Sequence, residues 1–183
     1  MTTIQQATEL DLPDIARLHM LSWQTAYRGF VPDHVLDGRS VEGSLAGWHK
    51  TFDSYPENLW TARSASGQMV GFCCAGPVVN VERSGPYEFE VYGLHVAPDI
   101  HRQGVGSRLI RRQFDRASAS GLSGAIVWTL ENLRQSRQFY EKHGGQVVKT
   151  GIWNIGGHQQ NEVAYGWSQA PGSRLLSPSR GPI

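Results

Sequence analysis

The sequence predicts an α/β domain built on one mixed, mainly antiparallel sheet, and three observations carry that prediction. Strand-like and helix-like segments alternate in the order strand, two helices, three strands, helix, strand, helix, two strands. Two neighbouring strand pairs are joined by short glycine turns, Ser66-Gly67 and Gly156-Gly157, which make hairpins rather than crossovers. The strict strand–helix alternation of a doubly wound fold is absent. A chain of 183 residues with 39% hydrophobic and 18% charged residues is sized for one domain with a real core.

Each element has a local reason. TIQQA (3–7) reads as a first strand. Asp11 precedes LPDIARLHMLSWQTAY, with Pro13 and Asp14 in the first turn, a good helix start. Residues 40–53 form a second helix, weakened by Gly43 and Gly47. NLWTARSA and QMVGFCCAGPVV are the hairpin around Ser66-Gly67, and YEFEVYGLHV is a fourth strand. From Gly104 to Ser120 the spacing predicts a helix with Val105, Leu109, Ile110, Phe114 and Ala117 facing inward. AIVWTLE is a continuous apolar strand, and LRQSRQFYEKH is a helix closed by Gly144-Gly145. QVVKTGIWNI and HQQNEVAYGW flank the last glycine turn. The expected domain covers 1–168, and the Pro-, Ser- and Gly-rich tail from Gln169 to Ile183 is expected to be disordered.

Composition excludes several classes of function. A formal net charge of +1 gives no electrostatic case for nucleic acid. No apolar run approaches the roughly 18–20 residues of a membrane span. The polar, acidic start MTTIQQATELD lacks the basic and apolar stretches of a signal peptide, which points to a cytoplasmic protein. Cys73 and Cys74 are adjacent on a strand, so their side chains point to opposite faces; they read as buried thiols, not a disulfide or a zinc site. Six tryptophans point either to an aromatic-lined pocket or to plain packing.

The stretch VAPDIHRQGVGSRLI (96–110) carries the most chemistry. Its two glycines, Gly104 and Gly106, stand where a helix begins. The first amides of a helix have no partners inside it and carry the positive end of its dipole, so bare backbone there admits a phosphate. A dinucleotide fingerprint would need a third glycine where Leu109 stands, and a P-loop would need Gly-Lys-Ser/Thr where Gly106-Ser107-Arg108 stands. Tight strand–helix packing is the rival explanation of the glycines alone.

The wider pattern resembles the GNAT N-acetyltransferase superfamily. Val96-x-Pro98, then Gly104-x-Gly106 opening a helix, is similar to that family's acyl-CoA signature. EVYGLHV is similar to its fourth strand, FYEKHGG to its later Phe-Tyr helix, and LHMLSWQTAYRGFVPDHVLD to the first helix and substrate loop of a bacterial branch. The likeness spans roughly residues 3–167. It departs at His101, where the family carries Arg or Gln, and at Leu133, where the family's asparagine stands one residue later than Asn132.

The resemblance implies a GNAT-like sheet and an acetyl transfer from acetyl-CoA to a primary amine, by direct attack in a ternary complex. It implies that Leu94, His95 and Val96 cradle the thioester through their backbone. His101, Arg102, Gln103, Gly104, Val105, Gly106 and Ser107 would hold the pyrophosphate, mostly by amides, and Asn132 the pantetheine arm. Tyr140 matches the family's general acid, because a phenol of pKa about 10 can give a proton to a departing thiolate. Glu90 matches its strand-four glutamate and is the expected base. Strand alternation places Glu88, Glu90 and Tyr92 on one face and His95 on the other, as a core histidine. Trp23, Tyr27 and Phe30, with Glu88 and Tyr92, are the expected acceptor-side residues. No metal is implied. A larger acyl-CoA donor, or a CoA-binding sensor without turnover, are the alternative functions. The acceptor's identity is left open between small amines and protein amino groups, and a homodimer is the family-level expectation.

Overall fold

The computed structural model describes residues 1–168, so the expected tail from Gln169 lies outside the described residues. Its seven strands are β1 (Thr3–Gln6), β2 (Leu59–Arg63), β3 (Met69–Pro77), β4 (Phe89–Val96), β5 (Ala125–Leu130), β6 (Gln146–Ile155) and β7 (His158–Trp167). They form one sheet in the spatial order β1-β2-β3-β4-β5-β7-β6. Only β4 and β5 run parallel; every other pair is antiparallel. Both expected hairpins are present.

The helices are α1 (Leu12–Ala26), α2 (Asp33–Asp37), α3 (Val41–Ser54), α4 (Val81–Ser84), α5 (Val105–Ala119) and α6 (Arg134–Lys142). The sequence reading missed α2 and α4. At five and four residues they are too short to show a helical period. Local chemistry explains α4: the Asn80 side chain caps it by accepting from the Arg83 amide at 2.9 Å.

Two apolar layers cover the sheet. On one face α1 and α3 bury Leu12, Ile15 and Leu18 against Leu59, Phe72 and Cys74, with Trp48 and Phe52 packed beside them. On the other, α5 buries its whole expected stripe against Cys73, Val91 and Val127, and α6 adds Tyr140. Cys73 and Cys74 are both free and buried, one under each layer. Gln113, fully buried on α5, donates to the carbonyls of Asn58 and Cys73 and so ties that helix to β3.

One irregularity creates the cleft. In the β3–β4 ladder Cys74 faces Gly93 and Ala75 faces Val91, so Tyr92 is an extra residue bulged out of β4. The parallel pairing of β4 with β5 ends at Val91–Val127, just before that bulge. Beyond it β4 continues to Val96 and β5 to Leu130, with no ladder between them.

Candidate active site

The gap between the parting strands opens into a cleft of about 300 Å³ that reaches from α1 to α6. Glu90, Tyr92, Leu94, His95 and Tyr140 all line it, as do Trp23 and Tyr27. The strand-four reading needs one correction. Alternation placed His95 opposite Glu90, but the bulge at Tyr92 adds a residue and reverses the parity. Through it, Glu90 pairs with Gly76 and His95 with Phe72, positions of the same β3 face. His95 therefore joins Glu90 on the α1 side.

Glu90 is half-buried, and its Oε2 accepts from Ser84 Oγ at 3.1 Å. Burial raises its pKa, against the lowering pull of the Ser84 hydrogen bond and of Arg83, while repulsion from Glu162 raises it further. Glu162 lines the same cleft, is 6% exposed, and is held by Arg83 at 2.8 Å. That guanidinium also lies over the Trp128 ring at 4.3 Å. Glu88 does not belong to this group. It precedes β4 and is exposed, and its carboxylate accepts from the amide and hydroxyl of Ser123 at 2.7 and 2.8 Å. Those bonds lower its pKa and make it a loop clamp.

Tyr140 projects from α6 on the far side of the gap. It is 6% exposed, packed among the rings of Phe139, Tyr165 and Trp167. Its hydroxyl makes no hydrogen bond to the described residues, and burial raises the phenol's pKa, so the group stays protonated at any physiological pH.

His19, which the sequence reading did not single out, sits beside His95 with ring centroids 5.0 Å apart. Trp48 Nε1 can only donate, and it donates to His19 Nδ1 at 3.3 Å, so the neutral ring carries its proton on Nε2. His95 stacks on Phe72 at 4.9 Å. Burial carries His19 down to about 4, helped by the charge of Arg39, and His95 down to about 3. Both folded values lie below the unfolded 6.5, so the unfolded chain takes up protons that the native one refuses. Stability is then full above pH 6.5 and falls as the pH drops toward 4, by up to about 1.4 kcal/mol per pH unit for each histidine. We expect Tm to fall steeply between pH 6.5 and 5. His95→Phe, which keeps the stacking, should reduce that slope; an equal slope in the variant would remove His95 as its source.

The α1 end of the cleft is aromatic. Trp23 and Tyr27 contact each other at 4.6 Å, and Trp153 from β6 closes on them at 5.6 and 6.0 Å. Phe30 is not in the cleft; its carbonyl accepts from Gln160 in the wall behind. Trp153 lines the cleft instead. Tyr92 does line the cleft, with its hydroxyl donated to the Pro77 carbonyl.

The glycine loop presents bare backbone. Arg102 and Gly104 adopt left-handed conformations, φ 62° and 82°, and a Cβ on Gly104 would meet nothing within 4 Å. The amides of residues 102–107 have no backbone acceptor among the described residues; the first bond of the helix runs from Arg108 to Gly104. Alternating hand in such a loop turns successive amides toward one concavity, at the positive end of a 15-residue helix. Val105 is buried, so its amide is what it offers. Gly106 has a second task, because a Cβ there would press on Phe139 at 3.3 Å. Ser107 Oγ donates to His143 Nε2 at 2.9 Å, and His143 Nδ1 donates to the Phe139 carbonyl at 2.7 Å. His101 is similarly engaged: Nε2 donates to the Val96 carbonyl at 2.9 Å and Nδ1 accepts from Gln135 at 3.2 Å. It braces the loop against β4 and α6. Arg102 and Gln103 are exposed, as is Asn132, which lies in the turn before α6; Leu133 and Ser136 line the cleft there instead.

The model of the acetyltransferase (GNAT) family matches residues 15–145, which include the cleft's β4 wall, the glycine loop and Tyr140. The chain belongs to the GNAT acetyltransferase family. It is 28% identical over 176 residues to the uncharacterized N-acetyltransferase YuaI of Bacillus subtilis, covering 96% of this chain and 98% of that one. Among solved structures, an N-acetyltransferase of Staphylococcus aureus superposes with TM-score 0.71 at 17% identity, covering 92% of this chain and 98% of that one. The PaiA N-acetyltransferase of Thermoplasma acidophilum, solved in complex with coenzyme A, gives TM-score 0.66 at 16% identity over 88% and 98% of the two chains. At those identities the GNAT fold is what the structures share with this chain. Among the described residues no helix is long and apolar enough to cross a membrane.

Proposed function

We propose that this GNAT protein transfers an acetyl group from acetyl-CoA to the primary amine of a small molecule by direct attack. The observation that carries the reading is the parting of β4 from β5 beyond Val91. Among the described residues it leaves one edge of residues 92–96 without a strand partner, beside a cleft that holds Glu90 and Tyr140 and at the mouth of a loop whose amides have no backbone acceptor.

Each group then has one task. The amides of residues 102–107 hold the pyrophosphate, and the unpaired β4 edge takes the pantetheine arm as a pseudo-strand. The thioester supplies an activated acetyl carbonyl. The amide of Leu94 or His95 donates to the oxygen as negative charge develops there. Glu90 accepts the proton lost by the amine, as the new C–N bond forms and the C–S bond breaks. Tyr140 returns a proton to the departing sulfur. Cys73 and Cys74 take no part: both are buried, and burial raises both thiols, Cys74 to about 12.

Acetyl-CoA should raise Tm, since a ligand bound only by the folded state adds about 2.7 kcal/mol at 100 times its Kd. NAD and ATP at equal concentration should do far less. Gly104→Val places a side chain where the pyrophosphate would lie, and should abolish the shift. Its left-handed φ of 82° also costs backbone strain, so Gly67→Val, with φ 83° in the β2–β3 turn and open space around it, is the matched control and should keep the shift. Equal stabilisation by all three nucleotides, or loss in both variants, would sink the assignment of the loop.

A further inference from the structure

We infer that the acceptor is a small zwitterion of the amino-acid type, whose carboxylate is held by Arg39 at the aromatic end of the cleft. The inference rests on the acetyl-transfer reading and adds the second polar contact that fixes the acceptor's orientation.

Arg39 lies between α2 and α3, with its guanidinium carbon 3.8 Å above the Trp23 ring. Trp23 lines the cleft, and so do His19 and Tyr27, whose titrations both feel the Arg39 charge. The acids of its own segment are already taken. Arg28 binds Asp33 at 2.9 Å and Asp37 at 2.7 Å, which leaves Arg39 with neither an ion pair nor a side-chain hydrogen bond among the described residues. Its side chain is exposed, and partial desolvation against the ring lowers its pKa. With its carbon 3.8 Å from the ring centroid and no protein partner among the described residues, the guanidinium keeps open the N–H fork that binds carboxylate in a bidentate manner.

The charge at the other end is the complement. Glu162 is neutralised by Arg83, so Glu90 is the acid that remains to meet an amine. Its partners there are one hydroxyl and the edge of the Arg83–Glu162 pair. The cleft thus offers Glu90 to an amine, and Arg39, exposed on the Trp23 ring at the cleft's rim, is a cation for an acid, with Trp23, Tyr27 and Trp153 lining that end. Occupation of the Trp23 face by Arg39 also argues against a polycation as acceptor. The ring face that would stack on a substrate ammonium already carries a cation, and that cation would repel a second one.

The test is a set of free L-amino acids, each compared with its carboxamide and its decarboxylated amine, with CoA release measured at saturating acetyl-CoA. The expected result is a preference of roughly tenfold or more in kcat/KM for the acid of the matched set, carried by KM, as one charge-assisted contact supplies. Arg39→Gln should bring the KM ratio of acid to amine close to one, and Arg39→Lys should keep part of the preference. Equal use of acid and amine by the wild type would overturn the inference. So would an equal rise in KM for both with Arg39→Gln, which would reduce Arg39 to a support for Trp23. Turnover of the amines without the acids removes this inference alone. A protein that binds acetyl-CoA but acetylates no amine in the set removes the acetyl-transfer reading with it.

Discussion

Tyr140→Phe is expected to lower kcat on the order of 10²-fold, the usual contribution of a positioned general acid. It should leave the acetyl-CoA shift in Tm intact. The substitution keeps the ring among Phe139, Tyr165 and Trp167, where it is 6% exposed, so packing survives. It deletes a hydroxyl that has no hydrogen-bond partner among the described residues, and stability should therefore change little. That combination separates catalysis from structure, because a residue needed only for packing would show the reverse. The elevated pKa of the phenol gives a second signature: no limb of the wild-type pH profile should arise from Tyr140 itself. If single-turnover kinetics show chemistry to be rate-limiting and the variant turns over as fast as wild type, Tyr140 is a packing residue, and water protonates the thiolate.

Much of the fold was legible because it rests on local rules. The glycine turns joined the strands they flank, and the apolar stripe of α5 was read residue by residue. The bare backbone of the glycine loop at a helix start was legible for the same reason: left-handed residues and a helix start are short-range features. The aromatic end of the cleft was not, because its walls meet only through the tertiary fold. His19 on α1 touches His95 on β4, 76 positions away, and Trp153 on β6 meets Trp23. Glu162 and Arg83 pair across 79 positions. Nothing in the local pattern of any one of these segments announces the other.

The face of His95 failed for a different reason. Period-two alternation is exact only in an unbroken ladder, and a single bulged residue reverses it for everything downstream. YEFEVYGLHV gives one hint of the bulge, a glycine at position 93 within an otherwise bulky strand. Gly93 is close to His95, since a Cβ there would lie 3.3 Å from its Nε2. The same bulge marks where β4 leaves β5. The feature that defeated the parity argument is the one that opens the cleft. Glu88 failed at the strand's other end: β4 starts at Phe89, so alternation had no hold on it, and the Ser123 amide captured its carboxylate.

The second large effect is expected at Glu90. An amine with a pKa near 10.4 is almost wholly protonated at neutral pH and must lose a proton before it can attack. Three other groups in the cleft could receive it, and each is poorly suited. Glu162 is tied to Arg83. His19 and His95 titrate at about 4 and about 3, well below an ordinary imidazole, and so hold a proton weakly. Glu90 is raised by burial, which strengthens it as a base and brings the acid limb of the profile above the ordinary carboxylate range. Glu90→Gln should therefore lower kcat/KM on the order of 10²-fold at neutral pH, and the loss should shrink as pH rises toward the amine's own pKa. Glu162→Gln supplies an internal check on the electrostatics. Glu162 raises the Glu90 pKa by repulsion and shares Arg83 with it, so its neutralisation lowers that pKa. The acid limb should then move to lower pH, with the plateau retained. A Glu90→Gln profile that follows the wild type in height and shape means that the proton leaves by another route. A Glu162→Gln profile with an unmoved acid limb means that the limb belongs to a group other than Glu90.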